Sequence, residues 1–370
     1  MTFRVLGTMS GTSLDGLDLA ISEFQFDPIS MKWKGHIERF QSVPLPPEWK
    51  VRLKGLSRSS AEQWHQIEVE WTRWCAGEIE KFTDPKRLDL VVFPGQTVFH
   101  RPSEGWTGQL GHGGQLFGFL NAQVPVVGDL RSLDVAIGGQ GAPLVPIADE
   151  VLYSNFESCL NLGGFANMSK SASGSAVRVA WDLGPCNLVL NELAQLKGLS
   201  FDEDGHLARS GRVIPALWHR WMQLEFHQKS GPKSLGVEWL DEVFWPAAAS
   251  HPMSEDSAAD LSATAAHYIA SVIRADLGGC RTLATGGGAH HVFLMELLRS
   301  NADEYLVGRP IDLTIPDEDL VNGKEAHAFG LMGLMRALGQ DNVYSHITGS
   351  KFSHSGGAVW GKLDSKFHRT

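Results

Sequence analysis

The sequence predicts an α/β protein of two domains, each opening with the same unit of strand, glycine turn and strand. Three observations predict it. The chain has 370 residues, more than one hydrophobic core usually serves. A strand–turn–strand pattern near the N-terminus returns after residue 158, as in an internal duplication. Three glycine-rich turns, at 7–18, 182–187 and 285–288, stand at the ends of expected strands.

In order, Arg4 to Gly7 reads as a strand, Thr8 to Gly16 as a polar turn and Leu17 to Phe26 as a return strand. Ala61 to Phe82 reads as a helix, with Trp64, Ile67, Trp71, Trp74 and Ile79 at helical spacing. Aromatics so spaced are expected in a core rather than around a cofactor. Leu88–Phe93 and Val124–Val127 follow as short buried strands. The chain bends near Gly138-Gly139-Gln140-Gly141, where a domain boundary is expected. The first domain is expected to comprise 1–132 with 340–370, and the second 133–339.

In the second half, Ser158–Leu162, Ala166–Ser169 and Val177–Trp181 read as strands, with Gly163-Gly164 as a turn. A tight turn over Asp182–Asn187 should lead into a helix at Leu188–Leu196. Asp260–Asp276, Val292–Leu298 and Asn322–Leu338 read as helices, and Arg281–Ala284 as a strand.

Composition narrows the function. Hydrophobic content of 43% and charged content of 20% are those of a globular protein. A formal charge of -10 with scattered basic residues argues against nucleic-acid binding. No apolar run nears the roughly 20 residues of a membrane span, and no signal segment opens the chain. Cys75, Cys159, Cys186 and Cys280 form no Cys-x-x-Cys pair, which reads as reduced thiols in the cytoplasm.

Gly7-Thr-Met-Ser-Gly-Thr-Ser-Leu-Asp-Gly-Leu-Asp18 is the first chemical motif. Its small residues let the backbone approach a phosphate, and Asp15 and Asp18 offer oxygen ligands to Mg2+. No Gly-Lys-Ser/Thr follows, so it is not a Walker loop. A polar hairpin with two solvated aspartates fits the same residues. Asp182-Leu-Gly-Pro-Cys-Asn187 is the second. Asp182 suits a general base at a strand end, or a cap of the following helix, whose N–H groups should face an anion. Thr285-Gly-Gly-Gly-Ala-His-His291 is the third; its glycines suit a flat ligand or phosphate. His290 and His291, with no partner acid or Cys nearby, read as surface residues rather than metal ligands. Taken together, the three turns give the layout of a two-domain actin-like (ribonuclease H-like) ATPase fold with an interdomain cleft.

Over nearly its whole length the chain resembles the anhydro-N-acetylmuramic acid kinases. The matching blocks are Gly7–Asp18, Gly95–His100 with Pro102, and Gln109-x-Gly111. Further on they are Pro125–Asp129 with Arg131 and Asp134, Gly138–Pro146, Asn161–Asn167, Lys233–Gly236 and Thr285–Gly288. The resemblance implies hydrolytic opening of a 1,6-anhydro sugar and phosphorylation of its O6 by ATP with Mg2+. It implies that Asp182 is the base. It implies that Gly11, Thr12, Ser13, Leu14, Asp15, Gly16, Leu17 and Asp18 contact ATP, with Gly163, Gly164, Gly286, Gly287 and Gly288 beside the nucleotide. Asp15 and Asp18 are then the metal ligands, and Gln96, Asp129, Arg131 and Glu325 the sugar contacts. A homodimer with a small sugar substrate, and neither nucleic acid nor membrane, completes the implied picture.

The chain departs from the family pattern at Pro94, Leu183 and Cys186, and carries Asp149 and Glu150 where a His is common. Pro94 and Leu183 are expected beside the sugar pocket. A kinase of the same fold acting on another sugar is therefore the alternative. An ATP-driven clamp or filament is disfavoured because the chain lacks an appended peptide-binding domain. A metallopeptidase-like or carbamoyl-transferring relative is disfavoured because His112 has no partner four residues on.

Overall fold

A computed structural model describes residues 1–11, 14–171, 177–231 and 233–368. In chain order the strands are β1 (Thr2–Met9), β2 (Gly16–Asp27), β3 (Lys32–Pro44), β4 (Leu90–Phe93), β5 (Gln96–Arg101), β6 (Trp106–Leu110) and β7 (Val126–Gly128). Then come β8 (Ser158–Leu162), β9 (Phe165–Ser171), β10 (Arg178–Pro185), β11 (Arg281–Thr285), β12 (Asp312–Thr314) and β13 (Ala358–Trp360). Two compact units emerge, Met1–Leu152 with Gly323–Thr370, and Tyr153–Asn322. The expected divisions after 132 and 339 both fall within the first unit.

The first unit carries a six-stranded sheet ordered β13-β7-β4-β1-β2-β3. β1, β2 and β3 form an antiparallel meander, and β4 and β7 continue parallel to β1. Side chains alternate between two cores, as the twofold strand period requires. Leu6, Leu17, Leu19, Ile21 and Val91 pack with Trp71, Cys75 and Ile79 of the helix Ala61–Phe82. Phe3, Val5, Phe24, Leu90 and Val92 pack with Phe329, Leu331, Met332 and Met335 of the helix Glu318–Ala337. Helices thus cover both faces of the sheet. At Gly7 the close approach admits only glycine, since a Cβ would stand 1.9 Å from the Ala326 carbonyl oxygen.

The second unit repeats the order as β10-β9-β8-β11-β12. β8, β9 and β10 are the antiparallel meander, and β11 and β12 run parallel to β8. The helix Ala258–Leu277 is buried along most of its length, which is why apolar residues surround it. Shared strand order bears out the duplicated actin-like topology, although sequence identity between the halves is low.

Several local expectations need correction. The strand Lys32–Pro44 carries charge at many exposed positions and gave no strand signal, yet it pairs with β2 along its length. β10 runs on through Pro185, so Asp182 to Pro185 is strand rather than tight turn. Pairing of Gly184 with Ala166 and Pro185 with Phe165 overrides the turn preference of Gly-Pro, with a bulge between Asp182 and Gly184.

Candidate active site

In the second unit, the bulged end of β10 carries Asp182. Its N–H donates to the Lys233 carbonyl at 2.9 Å, and its Oδ2 accepts the Leu235 N–H at 2.8 Å. Burial raises its pKa above the ordinary 3.8, and the Leu235 N–H opposes that rise. Asp182 does not cap the next helix: Cys186 is the N-cap residue, with no side-chain cap bond. A half-buried carboxylate with one oxygen fixed suits a general base.

The glycine turns of this unit meet around Asn161, Leu162 and Asn187. Asn187 donates its side-chain amide to the Leu162 carbonyl at 2.9 Å. A Cβ at Gly286 would lie 2.6 Å from Asn161 Oδ1, and one at Gly288 would lie 2.8 Å from Leu162 Cβ. A Cβ at Gly164 would lie 3.0 Å from Leu188 Cγ. Packing therefore accounts for these three glycines. Gly163 and Gly287 are different, since the nearest atoms to an added Cβ are 3.5 Å and 3.6 Å away. At those two an added Cβ would meet its neighbours only at ordinary van der Waals distance, so packing does not account for them.

The expectation of free N–H groups at the start of the helix Asn187–Gln195 is overturned. The N–H groups of Cys186 and Leu188 donate to the Gly164 carbonyl, and that of Asn187 donates to Gly163. The paired turn uses them. The side chains of Leu183 and Cys186 lie in the core of this unit. His291 caps the helix Val292–Arg299 through Nδ1, and its Nε2 faces Asp202 at 3.5 Å. That pairing is structural. Among the described residues no group of three or more His, Cys, Asp or Glu could hold a metal.

In the first unit, the β1–β2 hairpin presents the opening motif. Thr12 and Ser13 lie outside the described residues. Leu14 and Leu17 send their side chains into the core, so any nucleotide contact there uses backbone. Gly16 pairs with Pro44, and a Cβ on it would stand 2.8 Å from the Val43 carbonyl oxygen. Gln96 is buried, accepts the Ser10 hydroxyl at 2.5 Å and donates to the Gly11 carbonyl at 3.2 Å. It thereby ties β5 to the opening turn.

Asp15 is exposed and Asp18 half-buried. Burial raises Asp18, a hydrogen bond with Ser42 opposes the rise, and the Asp15 charge adds to it. Magnesium is commonly held by one or two carboxylates plus phosphate oxygens, and this donor set fits that use. Glu325 is raised by burial and by Asp18, and restrained by Arg131 and Lys324. Arg131 is lowered by burial and supported by Glu325. Asp18, Glu325 and Arg131 therefore form one electrostatic group. Asp129 stands apart: it is exposed, has a φ of +54° and accepts the Ser132 N–H at 3.3 Å.

Sequence reasoning did not single out Asn161 or Asn187, which stand among the glycine turns of the second unit. Asn187 ended a motif already singled out, and its position two residues past the end of β10 was the available signal. Asp149 and Glu150 have partners in this unit. Lys324 Nζ stands 2.7 Å from Asp149 Oδ1, and His346 Nε2 stands 2.8 Å from Glu150 Oε2.

Comparison with known proteins covers nearly the whole chain. A family model described as anhydro-N-acetylmuramic acid kinase matches residues 3–362. An anhydro-N-acetylmuramic acid kinase of Prochlorococcus marinus (strain MIT 9303) is 32% identical, over 94% of this chain and 97% of the relative. One from Pseudomonas putida is 34% identical, over 79% of this chain and 82% of its own. Among solved structures, component A of the (R)-2-hydroxyglutaryl-CoA dehydratase of Acidaminococcus fermentans is 12% identical with a TM-score of 0.43, covering 90% of this chain and 97% of that one.

Proposed function

We propose, because the chain belongs to the anhydro-N-acetylmuramic acid kinase family, that this kinase opens 1,6-anhydro-N-acetylmuramic acid with water and phosphorylates its O6. The products are N-acetylmuramic acid 6-phosphate and ADP, and the role is recycling of cell-wall sugar. The observation that carries the reading is Asp182: half-buried, raised above the ordinary carboxylate range, with one oxygen held by Leu235.

Asp182 takes a proton from the water whose oxygen attacks C1. The C1–O6 bond breaks as the new C1–O bond forms. O6 then attacks the γ-phosphorus of ATP, and the bond from that phosphorus to the β–γ bridging oxygen breaks to release ADP. Such a transfer depends on positioning and charge stabilisation more than on covalent chemistry. In the first unit, Arg131, Glu325, Gln96 and Asp129 are assigned to the sugar, and residues 11–18 to the phosphates. Asp15 and Asp18 would hold Mg2+, which when bound supplies charge neutralisation at the phosphate oxygens. In the second unit, Gly163, Gly164 and the 286–288 turn are assigned to the nucleotide, and at Gly163 and Gly287 packing does not explain the glycine.

A homodimer, expected from the family resemblance, belongs to the same proposal. So does a cytoplasmic location, which the four free cysteines support. Among the described residues no helix is long and apolar enough to cross a membrane.

The test incubates the protein with Mg-ATP and the anhydro-sugar, with glucose as a competing acceptor, and reads products by mass spectrometry. A ring-opened 6-phosphate supports the proposal. Turnover of glucose without the anhydro-sugar favours a kinase of another sugar.

A further inference from the structure

Asp134 is wholly buried in the first unit, and each of its carboxylate oxygens receives a donor from a different stretch of chain. Oδ2 accepts the N–H of Gly141 at 2.6 Å, and Oδ1 accepts the hydroxyl of Thr348 at 2.7 Å. The Gly138–Gly141 loop closes over this carboxylate. A Cβ at Gly139 would stand 2.2 Å from Asp134 Oδ2, and Gly141 has a φ of +65°. Thr348 straps the loop a second time, because its carbonyl accepts the Gln140 N–H at 2.8 Å. The other end of Gly141 is gripped too: its carbonyl accepts Arg131 Nη1 at 2.6 Å.

A continuous line of short hydrogen bonds thus runs from Thr348 through Asp134 and Gly141 to the guanidinium of Arg131. Its first three members are buried. Thr348 also lies 3.2 Å from the Ser350 hydroxyl, and His354 Nε2 lies 3.9 Å from Asp134 Oδ1. A guanidinium is planar and directional, so its use depends on how its plane is held. Here the guanidinium lies over the Phe329 ring at 5.6 Å and in the field of Glu325, and the hydrogen bond that sets its direction goes to one carbonyl on a glycine loop.

We propose that Thr348 is a positioning residue that aims Arg131 at the sugar. Its hydroxyl fixes Asp134, Asp134 fixes Gly141, and the Gly141 carbonyl orients the guanidinium. The proposal rests on the reading of Arg131 as a sugar contact. Replacing the hydroxyl by a methyl leaves a buried carboxylate short of a donor and frees the loop. Small misplacement of a substrate-positioning group costs up to about a hundredfold.

The test uses the full chain and measures KM for the anhydro-sugar, KM for ATP and kcat in T348V, T348S, R131A and the T348V/R131A double variant. T348V is expected to raise the sugar KM at least about tenfold, with the ATP KM unchanged, and T348S to restore it. In the R131A background T348V should add nothing, because both changes remove one interaction. Three results would overturn the proposal: a wild-type sugar KM in T348V where R131A raises it, equal rises in both KM values, or additive effects. If R131A leaves the sugar KM unchanged, the reading of Arg131 is what fails, and the proposal falls with it. Should T348V not fold, D134N is read by the same criteria, since its single carbonyl oxygen cannot serve both donors in the same way.

Discussion

The N–H of Leu235 donates to Oδ2 of Asp182 at 2.8 Å, joining residues 53 positions apart. The Asp182 N–H in turn donates to the Lys233 carbonyl. Segment and strand are locked together around one carboxylate, and Oδ1 has no protein partner among the described residues. That fixed, half-buried acid is what the proposed chemistry needs.

The pH profile follows from this pair. A base must be ionised, and burial lifts Asp182 above 3.8. Activity should therefore fall, as pH is lowered, at a higher pH than an ordinary carboxylate would give. L235P removes the N–H that favours the charged form, so its acid limb should move further up. The dependence of kcat/KM on pH, measured for both proteins, checks the direction.

The glycines divide into two classes. G163A and G287A should leave stability within about 0.5 kcal/mol but weaken ATP binding at least about tenfold, or about 1.4 kcal/mol. G286A should in addition lose stability. At a φ of +86°, with its Cβ 2.9 Å from the Leu162 nitrogen, it should cost about 1–3 kcal/mol of stability. Urea unfolding and calorimetric ATP titration separate the two effects.

Lys324 and Asp149 form a buried ion pair at 2.7 Å. Removing one charge takes the counter-charge at 2.7 Å away from a buried group. K324M should therefore destabilise the protein by about 3–5 kcal/mol, and the K324M/D149L double variant should recover most of that. Urea unfolding of the two variants is the check.

Asp18 carries a cost. Its carboxyl is raised in the folded protein, chiefly by burial. The folded state therefore binds its proton more tightly than the unfolded state does. Stability falls as pH rises through the folded pKa, and the cost is absent below the unfolded value of 3.8. D18N should be the more stable protein at pH 7, and the difference should vanish on acidification. Its activity with Mg-ATP should drop. Thermal melts across pH, paired with a kinase assay, test both halves.

The fold was legible wherever local pattern decides it. The helix Ala61–Phe82 lies where the spacing of Trp64, Ile67, Trp71, Trp74 and Ile79 puts it, and β8 also keeps its expected limits. Long-range pairing decided the rest. Lys32–Pro44 is a strand because β2 lies beside it, and Pro185 is in a strand because Phe165 is its partner. The donors at the start of the helix Asn187–Gln195 looked free because the carbonyls that take them stand more than twenty residues earlier. Asp182 was singled out as a candidate from its motif, while Leu235, whose N–H holds it, was not. The bond from Thr348 to Asp134 spans 214 positions and leaves no trace in local sequence.

The most direct test of the central claim is a single-turnover comparison of the wild-type protein and D182N, with Mg-ATP and 1,6-anhydro-N-acetylmuramic acid, ATP affinity being measured in parallel. The proposal predicts a ring-opened 6-phosphate from the wild type and a loss of at least about a hundredfold in rate for D182N at unchanged ATP affinity. A D182N rate near that of the wild type would contradict it.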